Sequence, residues 1–304
     1  MKKDFLTITD FTSDEVLDTL HLAIEMKEKA KRGEYRNVLK GGVGALIFHK
    51  QSLRTRCSFE VGFQQLGGSS VYITNQEIEL GKRETIHDVA KVMSRYFSVI
   101  CIRTYSHRDV EELAYHSEVP VVNMLTDLLH PCQLMADMQT ILEKRGNLDN
   151  LKVTYLGDGN NMTNSWMRMA QRIPMHLSIG TSPDTLPDAD ILKETQSCGI
   201  STVSVHHDVM DAVRDSDVIY TDVWASMGAK DQIDTKIEQL RQFQVNADVV
   251  NGAKKDVLVM HCLPAERGRE ITAEVMDMPN TVVFDEAENR LHAQKAVLVK
   301  LLEG

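Results

Sequence analysis

Between residues 13 and 33 the apolar positions of SDEVLDTLHLAIEMKEKAKRG return every three to four residues. That spacing predicts an amphipathic helix with Ser13 as its cap, Glu15 close behind and Gly33 beyond its end. VGALIF (43–48) is short and continuously apolar and predicts a buried strand. RCSFEVGFQQLGG then predicts a helix that stops at Gly67 and Gly68. The alternation continues with SVYITN as strand, RETIHDVAKVMSRY as helix, SVICIR (98–103) as strand and HRDVEELAYHS as helix. VPVVNM follows as strand and HPCQLMADMQTILEKRG as a long helix.

A second run starts after NLDN. LKVTYLGDG reads as strand, SWMRMAQRI as helix, MHLSIG as strand, DADILKETQSCG as helix, and VIYTDVW and DVLVMHCLP as strands. An amphipathic helix, AENRLHAQKAVLVKLLEG, ends the chain. Strands separated by helices, in steps too long for hairpins, imply parallel sheets covered on both faces. The expected fold is therefore α/β, with two doubly wound parallel-sheet domains joined by helices. The first domain is expected over 1–148, the second over 149–283, and the closing helix over 284–304.

The chain has 304 residues, 42% hydrophobic and 26% charged, and a formal net charge of -10. An acidic balance argues against nucleic-acid binding or binding to an anionic membrane. No apolar run approaches the roughly 20 residues needed to cross a bilayer, and the polar, acidic N-terminus does not read as a secretory signal. Five scattered cysteines without CxxC spacing suit reduced thiols in a cytoplasm and leave no pattern for a structural metal.

Against that acidic background, Lys50, Arg54 and Arg56 crowd one turn, HKQSLRTR, between the strand VGALIF and the following helix. Ligands of open parallel sheets sit beyond the carboxyl ends of the strands, and a helix start there offers N–H groups and a partial positive charge to an anion. Ser52 and Thr55 add hydroxyls, and Arg54 a planar donor fork suited to phosphate. Five other strand ends carry polar clusters. Arg103 ends SVICIR. His130 and Gln133, in HPCQ, can hold a carbonyl oxygen and an amide nitrogen. GDGNN (157–161) supplies Asn160 and Asn161, but Met162 stands where a dinucleotide fingerprint needs its third glycine. Asp222 in TDVWASMG and Cys262 in HCLPAERG end the last two strands. His261 and Cys262 look like a thiol-imidazole dyad, but adjacent residues on a strand point to opposite faces, so they are expected hardly to act on each other.

These motifs together resemble the aspartate/ornithine carbamoyltransferase family, on its ornithine-using branch. SLRTR is similar to that family's carbamoyl-phosphate loop, and HPCQ to its carbamoyl-binding motif. GDGNN, DVWASMG and HCLPA are similar to its amino-acid-side motifs, and FDEAENRLHAQKAVL to its closing helix. The resemblance covers essentially the whole chain in the same order. It implies transfer of the carbamoyl group of carbamoyl phosphate to the δ-amine of L-ornithine, giving citrulline and phosphate in arginine metabolism, without metal or organic cofactor.

By this resemblance Ser52, Leu53, Arg54, Thr55, Arg103, His130, Gln133, Cys262, Leu263 and Arg290 would bind carbamoyl phosphate. Asn161, Asp222, Ser226 and Met227 would bind ornithine. Arg103, His130, Asp222 and Cys262 would carry the chemistry. The closing helix would return to the first domain, and a cytoplasmic homotrimer or a multiple of one is implied. Leu53 departs from the family loop, which carries Thr there. Glu79 stands where many relatives carry Gln. Both lead to an expectation of weakened carbamoyl-phosphate affinity. Transfer to another amine such as putrescine, or a silent relative that only binds an anion, remain the alternatives.

Overall fold

The computed structural model describes residues 2–224 and 233–303. The chain divides into two compact units, 1–139 with 288–304, and 140–287. Both divisions fall inside helices, whereas the sequence reading set them at 148/149 and 283/284, where helical patterns stop or start.

The first unit contains α1 (Ser13–Ala30), β1 (Val43–Phe48), α2 (Leu53–Gln65), β2 (Ser69–Thr74) and α3 (Asn75–Ile78). It continues with α4 (Ile86–Tyr96), β3 (Val99–Arg103), α5 (His107–His116), β4 (Val121–Leu125) and the start of α6 (Pro131–Arg145). Its four strands are all parallel, in the order β2-β1-β3-β4. β1 and β3 lie in the middle and are buried on both faces, which is why both read as unbroken apolar runs. β2 is an edge strand, exposed at Ser69 and Val71 and half-buried at its other positions. At the other edge the N-terminal segment covers β4, with the Phe5 N–H donating to the Val121 carbonyl at 2.9 Å and the Asn123 N–H to the Phe5 carbonyl at 2.8 Å.

The cap of α1 is Thr12, not Ser13. Thr12 Oγ1 accepts from the Glu15 N–H at 3.2 Å and Glu15 Oε2 accepts from the Thr12 N–H at 2.8 Å, a reciprocal pair that fixes the helix start. α2 begins at Leu53, three residues before the apolar periodicity shows, because Ser52 caps it.

The second unit holds β5 (Lys152–Leu156), α7 (Asn161–Ala170), β6 (His176–Gly180), α8 (Ala189–Ser197), β7 (Thr202–His206), α9 (Val209–Val213) and β8 (Val218–Thr221). α10 (Ile233–Leu240), α11 (Ala247–Asn251), β9 (Leu258–His261), α12 (Ala273–Met276) and the start of α13 (Val283–Glu303) complete it. Its parallel sheet runs β7-β6-β5-β8-β9. The sequence reading omitted β7. It is an edge strand whose positions alternate in exposure, so it lacks the apolar run by which the inner strands are recognised. The 280–282 segment covers the β9 edge, the Val259 N–H donating to the Asn280 carbonyl at 3.0 Å.

The rest of α13 packs on the first unit, as expected. Lys27 Nζ donates to Asn289 Oδ1 at 2.7 Å, Ser58 Oγ and the Gln294 amide lie 2.7 Å apart, and Lys295 Nζ donates to Gln65 Oε1 at 2.6 Å. In each sheet the direction of winding reverses once, between β1 and β3 and between β5 and β8. The carboxyl ends of those strand pairs are where a ligand crevice forms in an open α/β sheet.

Candidate active site

At the first reversal, β1 delivers Lys50 and the start of α2, and β3 delivers Arg103. Ser52 Oγ accepts from the Thr55 N–H at 3.4 Å and donates to Thr55 Oγ1 at 3.1 Å. Leu53 and Arg54 occupy the first turn of α2. The Leu53 side chain is 75% exposed, so what it offers an anion is its backbone N–H at the helix start. Thr55 is buried, and two guanidinium groups converge on its hydroxyl: Arg290 Nη2 at 3.1 Å and Arg103 Nη1 at 3.4 Å. Three donors, Ser52 and the two cations, thus share the two lone pairs of that oxygen, and in this arrangement the hydroxyl keeps its own proton to donate.

A turn closed by the Thr126 N–H on the Leu129 carbonyl at 2.8 Å carries the chain from β4 to His130. Pro131 then opens α6, where its missing N–H costs nothing. His130 is buried. Burial first, then the positive charges of Arg290, Arg103 and Lys50, hold its imidazole well below the usual range. It is therefore neutral at physiological pH and retains an N–H that can donate to an oxygen. Gln133 Oε1 accepts from Arg290 Nη1 at 2.5 Å, and Gln133 Nε2 donates to Asp137 Oδ1 at 2.8 Å. The first unit thus brings together Ser52, Leu53, Arg54, Thr55, Arg103, His130, Gln133 and Arg290. Lys50, quoted from the sequence but given no role there, belongs with them through its field on His130.

At the second reversal, Asn160 caps α7, its Oδ1 accepting from the Met162 N–H at 2.8 Å and from the Tyr155 hydroxyl at 3.2 Å. Its Nδ2 donates to Asp222 Oδ2 at 3.1 Å. Asp222 Oδ1 accepts from the Val223 N–H at 2.8 Å and from the Cys262 thiol at 3.0 Å. Asn161 is the first residue of α7, partly exposed beside that cap. The loops after β5, β8 and β9 therefore bring Asn161, Asp222 and Cys262 to one end of the sheet. Ser226 and Met227 lie outside the described residues. The carboxyl of Asp158, in the same loop as Asn160, is raised above its ordinary value by burial, although Lys236 Nζ lies 2.5 Å from it.

His261 and Cys262 do not separate as strand alternation implies: β9 ends at His261, Cys262 lies beyond it, and an imidazole nitrogen and the thiol come within 4.8 Å of each other, although their hydrogen-bond partners differ. The buried imidazole gives Nε2 to Glu270 Oε1 at 3.0 Å, and its Nδ1 accepts from the Leu263 N–H at 2.9 Å. That second bond holds Leu263 at φ +56°, a left-handed conformation rare for a branched side chain. Asp222, His261 and Cys262 each place a potential ligand atom within 4.8 Å of the others. Both imidazole nitrogens are already engaged, so the trio does not offer a metal the free nitrogen lone pair that ligation needs.

Comparison with known proteins agrees in order and extent. Residues 3–143 match the family description "Aspartate/ornithine carbamoyltransferase, carbamoyl-P binding domain", and residues 149–301 match "Aspartate/ornithine carbamoyltransferase, Asp/Orn binding domain". The chain is 47% identical over 302 residues to an ornithine carbamoyltransferase of Syntrophus aciditrophicus, covering 99% of this chain and 100% of the relative. It is 48% identical over 304 residues to that of Carboxydothermus hydrogenoformans, covering 99% of this chain and 97% of the relative. The solved structure of ornithine carbamoyltransferase from Pyrococcus furiosus superposes with a TM-score of 0.95 at 44% identity, over 100% of this chain and 98% of that one. With both halves of the sequence matched by its two domain descriptions, the chain belongs to the aspartate/ornithine carbamoyltransferase family.

Proposed function

We propose that this protein transfers the carbamoyl group of carbamoyl phosphate to the δ-amine of L-ornithine, giving L-citrulline and phosphate. The observation that carries the reading is the convergence of Arg103 and Arg290 on the buried Thr55 hydroxyl, within the electrostatic reach of a neutral His130.

In this reading the start of α2, with Ser52, Arg54 and Thr55, holds the phosphate, helped by Arg103. Attack on the carbamoyl carbon turns its carbonyl oxygen into an oxyanion. Arg103, the Thr55 hydroxyl and the His130 N–H are preorganised donors for that charge. Burial first, and then the positive charges of Arg290, Arg103 and Lys50, keep His130 neutral, so it adds no third cation beside the two guanidinium groups. Gln133 holds the carbamoyl amide through its carbonyl oxygen, which has a second lone pair beside the one given to Arg290. Asn161, Asp222, Ser226 and Met227 bind the amino-acid end of ornithine, with Cys262 and the Leu263 carbonyl near the reacting amine. That amine starts near pKa 10.4, if lysine is the guide, and becomes nucleophilic once desolvation and nearby arginines lower it. The departing phosphate accepts its proton.

The same reading takes the protein to be a homotrimer, or a multiple of one, in the cytoplasm. All five cysteines are free thiols, and among the described residues no helix is long and apolar enough to cross a membrane. Sedimentation showing a monomer would remove the trimer.

Steady-state citrulline formation with ornithine and with putrescine as acceptors tests the proposal. Citrulline with ornithine preferred is the expected result. Faster turnover of putrescine would transfer the reading to another amine. No turnover with either at saturating carbamoyl phosphate would leave a silent relative.

A further inference from the structure

Arg290 is buried on α13 with its guanidinium held on three sides. Gln133 and Thr55 take two of them. The third is the amide of Gln294, one helical turn further along and itself buried. The amide atom facing the guanidinium lies 2.8 Å from both Arg290 Nε and Nη2. Both nitrogens can only donate, so that atom is the amide oxygen. The amide nitrogen then donates to Ser58 Oγ at 2.7 Å and to the Arg290 carbonyl at 3.2 Å. Ser58 in turn donates its own proton to the Thr55 carbonyl at 3.2 Å, so both amide hydrogens of Gln294 and the Ser58 hydroxyl find acceptors.

We propose that Gln294 is a positioning residue for carbamoyl transfer: it locks the Nε edge of Arg290, and with it the direction in which the two terminal nitrogens point. This rests on the reading of Arg290 as a group that touches the carbamoyl. Arginine has several rotatable bonds, and the contacts at Gln133 and Thr55 are both made by terminal nitrogens, Nη1 and Nη2, whereas Gln294 engages the Nε edge. Gln294 fixes the tilt of the fork from behind, because two N–H groups of one rigid fork share a single acceptor. Its own orientation is set by Ser58 on α2, and the four-residue spacing on α13 keeps the amide level with the guanidinium. The lock therefore ties Arg290 to the helix that carries Thr55.

The test is steady-state citrulline formation by the full chain, with each substrate varied at saturation of the other. Gln294→Met keeps the length and removes both polar atoms. Gln294→Glu keeps acceptor oxygens toward Arg290. Gln294→Met is expected to lower kcat/KM for carbamoyl phosphate roughly tenfold to a hundredfold, the scale of a small misplacement of a reacting group. The ornithine KM should stay within about twofold, and Gln294→Glu should recover at least about a third of wild-type activity. The deciding comparison is made in an Arg290→Met background, where adding Gln294→Met should cost less than about twofold, since a residue acting only through Arg290 has nothing left to position. A multiplicative loss in that background, or a folded Gln294→Met with wild-type kinetics, would overturn the proposal. Arg290→Met with unchanged kinetics would instead sink the assignment of Arg290, so the two failures are distinguishable. If Gln294→Met does not fold by circular dichroism, Ser58→Ala decides: a loss of about twofold to fivefold in the carbamoyl-phosphate parameter supports the lock, and wild-type kinetics overturn it.

Discussion

Asp222→Asn is nearly isosteric, yet the structure leaves the new amide no comfortable orientation. Asp222 Oδ2 accepts from Asn160 Nδ2 at 3.1 Å, while Oδ1 accepts from the Val223 N–H at 2.8 Å and the Cys262 thiol at 3.0 Å. If the amide nitrogen takes the place of Oδ2, two NH2 groups face one another. Asn160 cannot turn to relieve this, because its oxygen caps α7 on the Met162 N–H at 2.8 Å. If the nitrogen takes the place of Oδ1, the Val223 N–H loses its acceptor. Either way one buried bond is lost and a donor is stranded, at a cost of about 1–3 kcal/mol. Domains of about 150–250 residues shift by roughly 2–4 °C per kcal/mol, so a fall in Tm of about 4–8 °C is the central expectation. Catalysis should suffer separately, because a carboxylate paired with a substrate ammonium is worth about 1.5–3 kcal/mol, or at least about tenfold in kcat/KM for ornithine. The assay is citrulline formation with ornithine varied at saturating carbamoyl phosphate, beside a thermal scan of the same preparation. The carbamoyl-phosphate KM should be nearly unchanged. A variant with lowered Tm but ornithine kinetics within about threefold of wild type would refute the substrate role and leave Asp222 as an organiser of its loops.

Three further outcomes are expected. Arg54→Ala should weaken inorganic phosphate by roughly tenfold or more in calorimetry, with the fold intact, because the side chain is a partly exposed donor fork at the helix start; unchanged affinity would remove it from the site. His130→Gln should flatten the acid side of the stability curve. The folded imidazole is held well below its usual value, so wild-type stability is complete above about pH 6.5 and falls as pH drops toward the folded value, where the unfolded chain binds a proton that the fold refuses; denaturant midpoints with the same acid slope in both proteins would contradict the neutral assignment. Gly159→Ala should destabilise by about 1–3 kcal/mol or more, since a Cβ there would lie 2.3 Å from the backbone of Leu186 and Pro187, which cannot step aside as a side chain would; a variant with an unchanged denaturation midpoint would show that this loop gives way.

The inner strands were legible because burial on both faces leaves an uninterrupted apolar word, as in VGALIF and SVICIR. β7 was not, because an edge strand needs only one apolar face. Helix starts at the site were hidden for a related reason: Ser52 and Asn160 cap helices whose first turns are polar, so the periodicity that marks a helix begins later than the helix. Of the polar strand ends, those of β1, β3, β5 and β8 fall where the sheets reverse direction, whereas those of β4 and β9 lie at sheet edges. What periodicity could not show is which of those residues face one another. Gln294 looked like one more polar position on an amphipathic helix, and its meeting with Arg290 and Ser58 depends on how α13 lies on α2. Lys50 was visible as charge but not as a neighbour of His130, which stands far away in the chain.

Ser52 grips its helix loosely, with the Thr55 N–H at 3.4 Å. A start so lightly capped still has backbone donors to give, and an oxyanion satisfies them better than the serine does. For this protein, then, the choice of buffer is part of the experiment. An anion at a hundred times its dissociation constant adds about 2.7 kcal/mol to apparent stability, as much as many core substitutions remove. Melting curves taken in phosphate and in an uncharged buffer would describe two different thermodynamic systems. Ranking variants across them would mix what a substitution does to the fold with what it does to occupancy. Arg54→Ala would look destabilised in the first buffer and unaltered in the second, with no change in the folded chain itself.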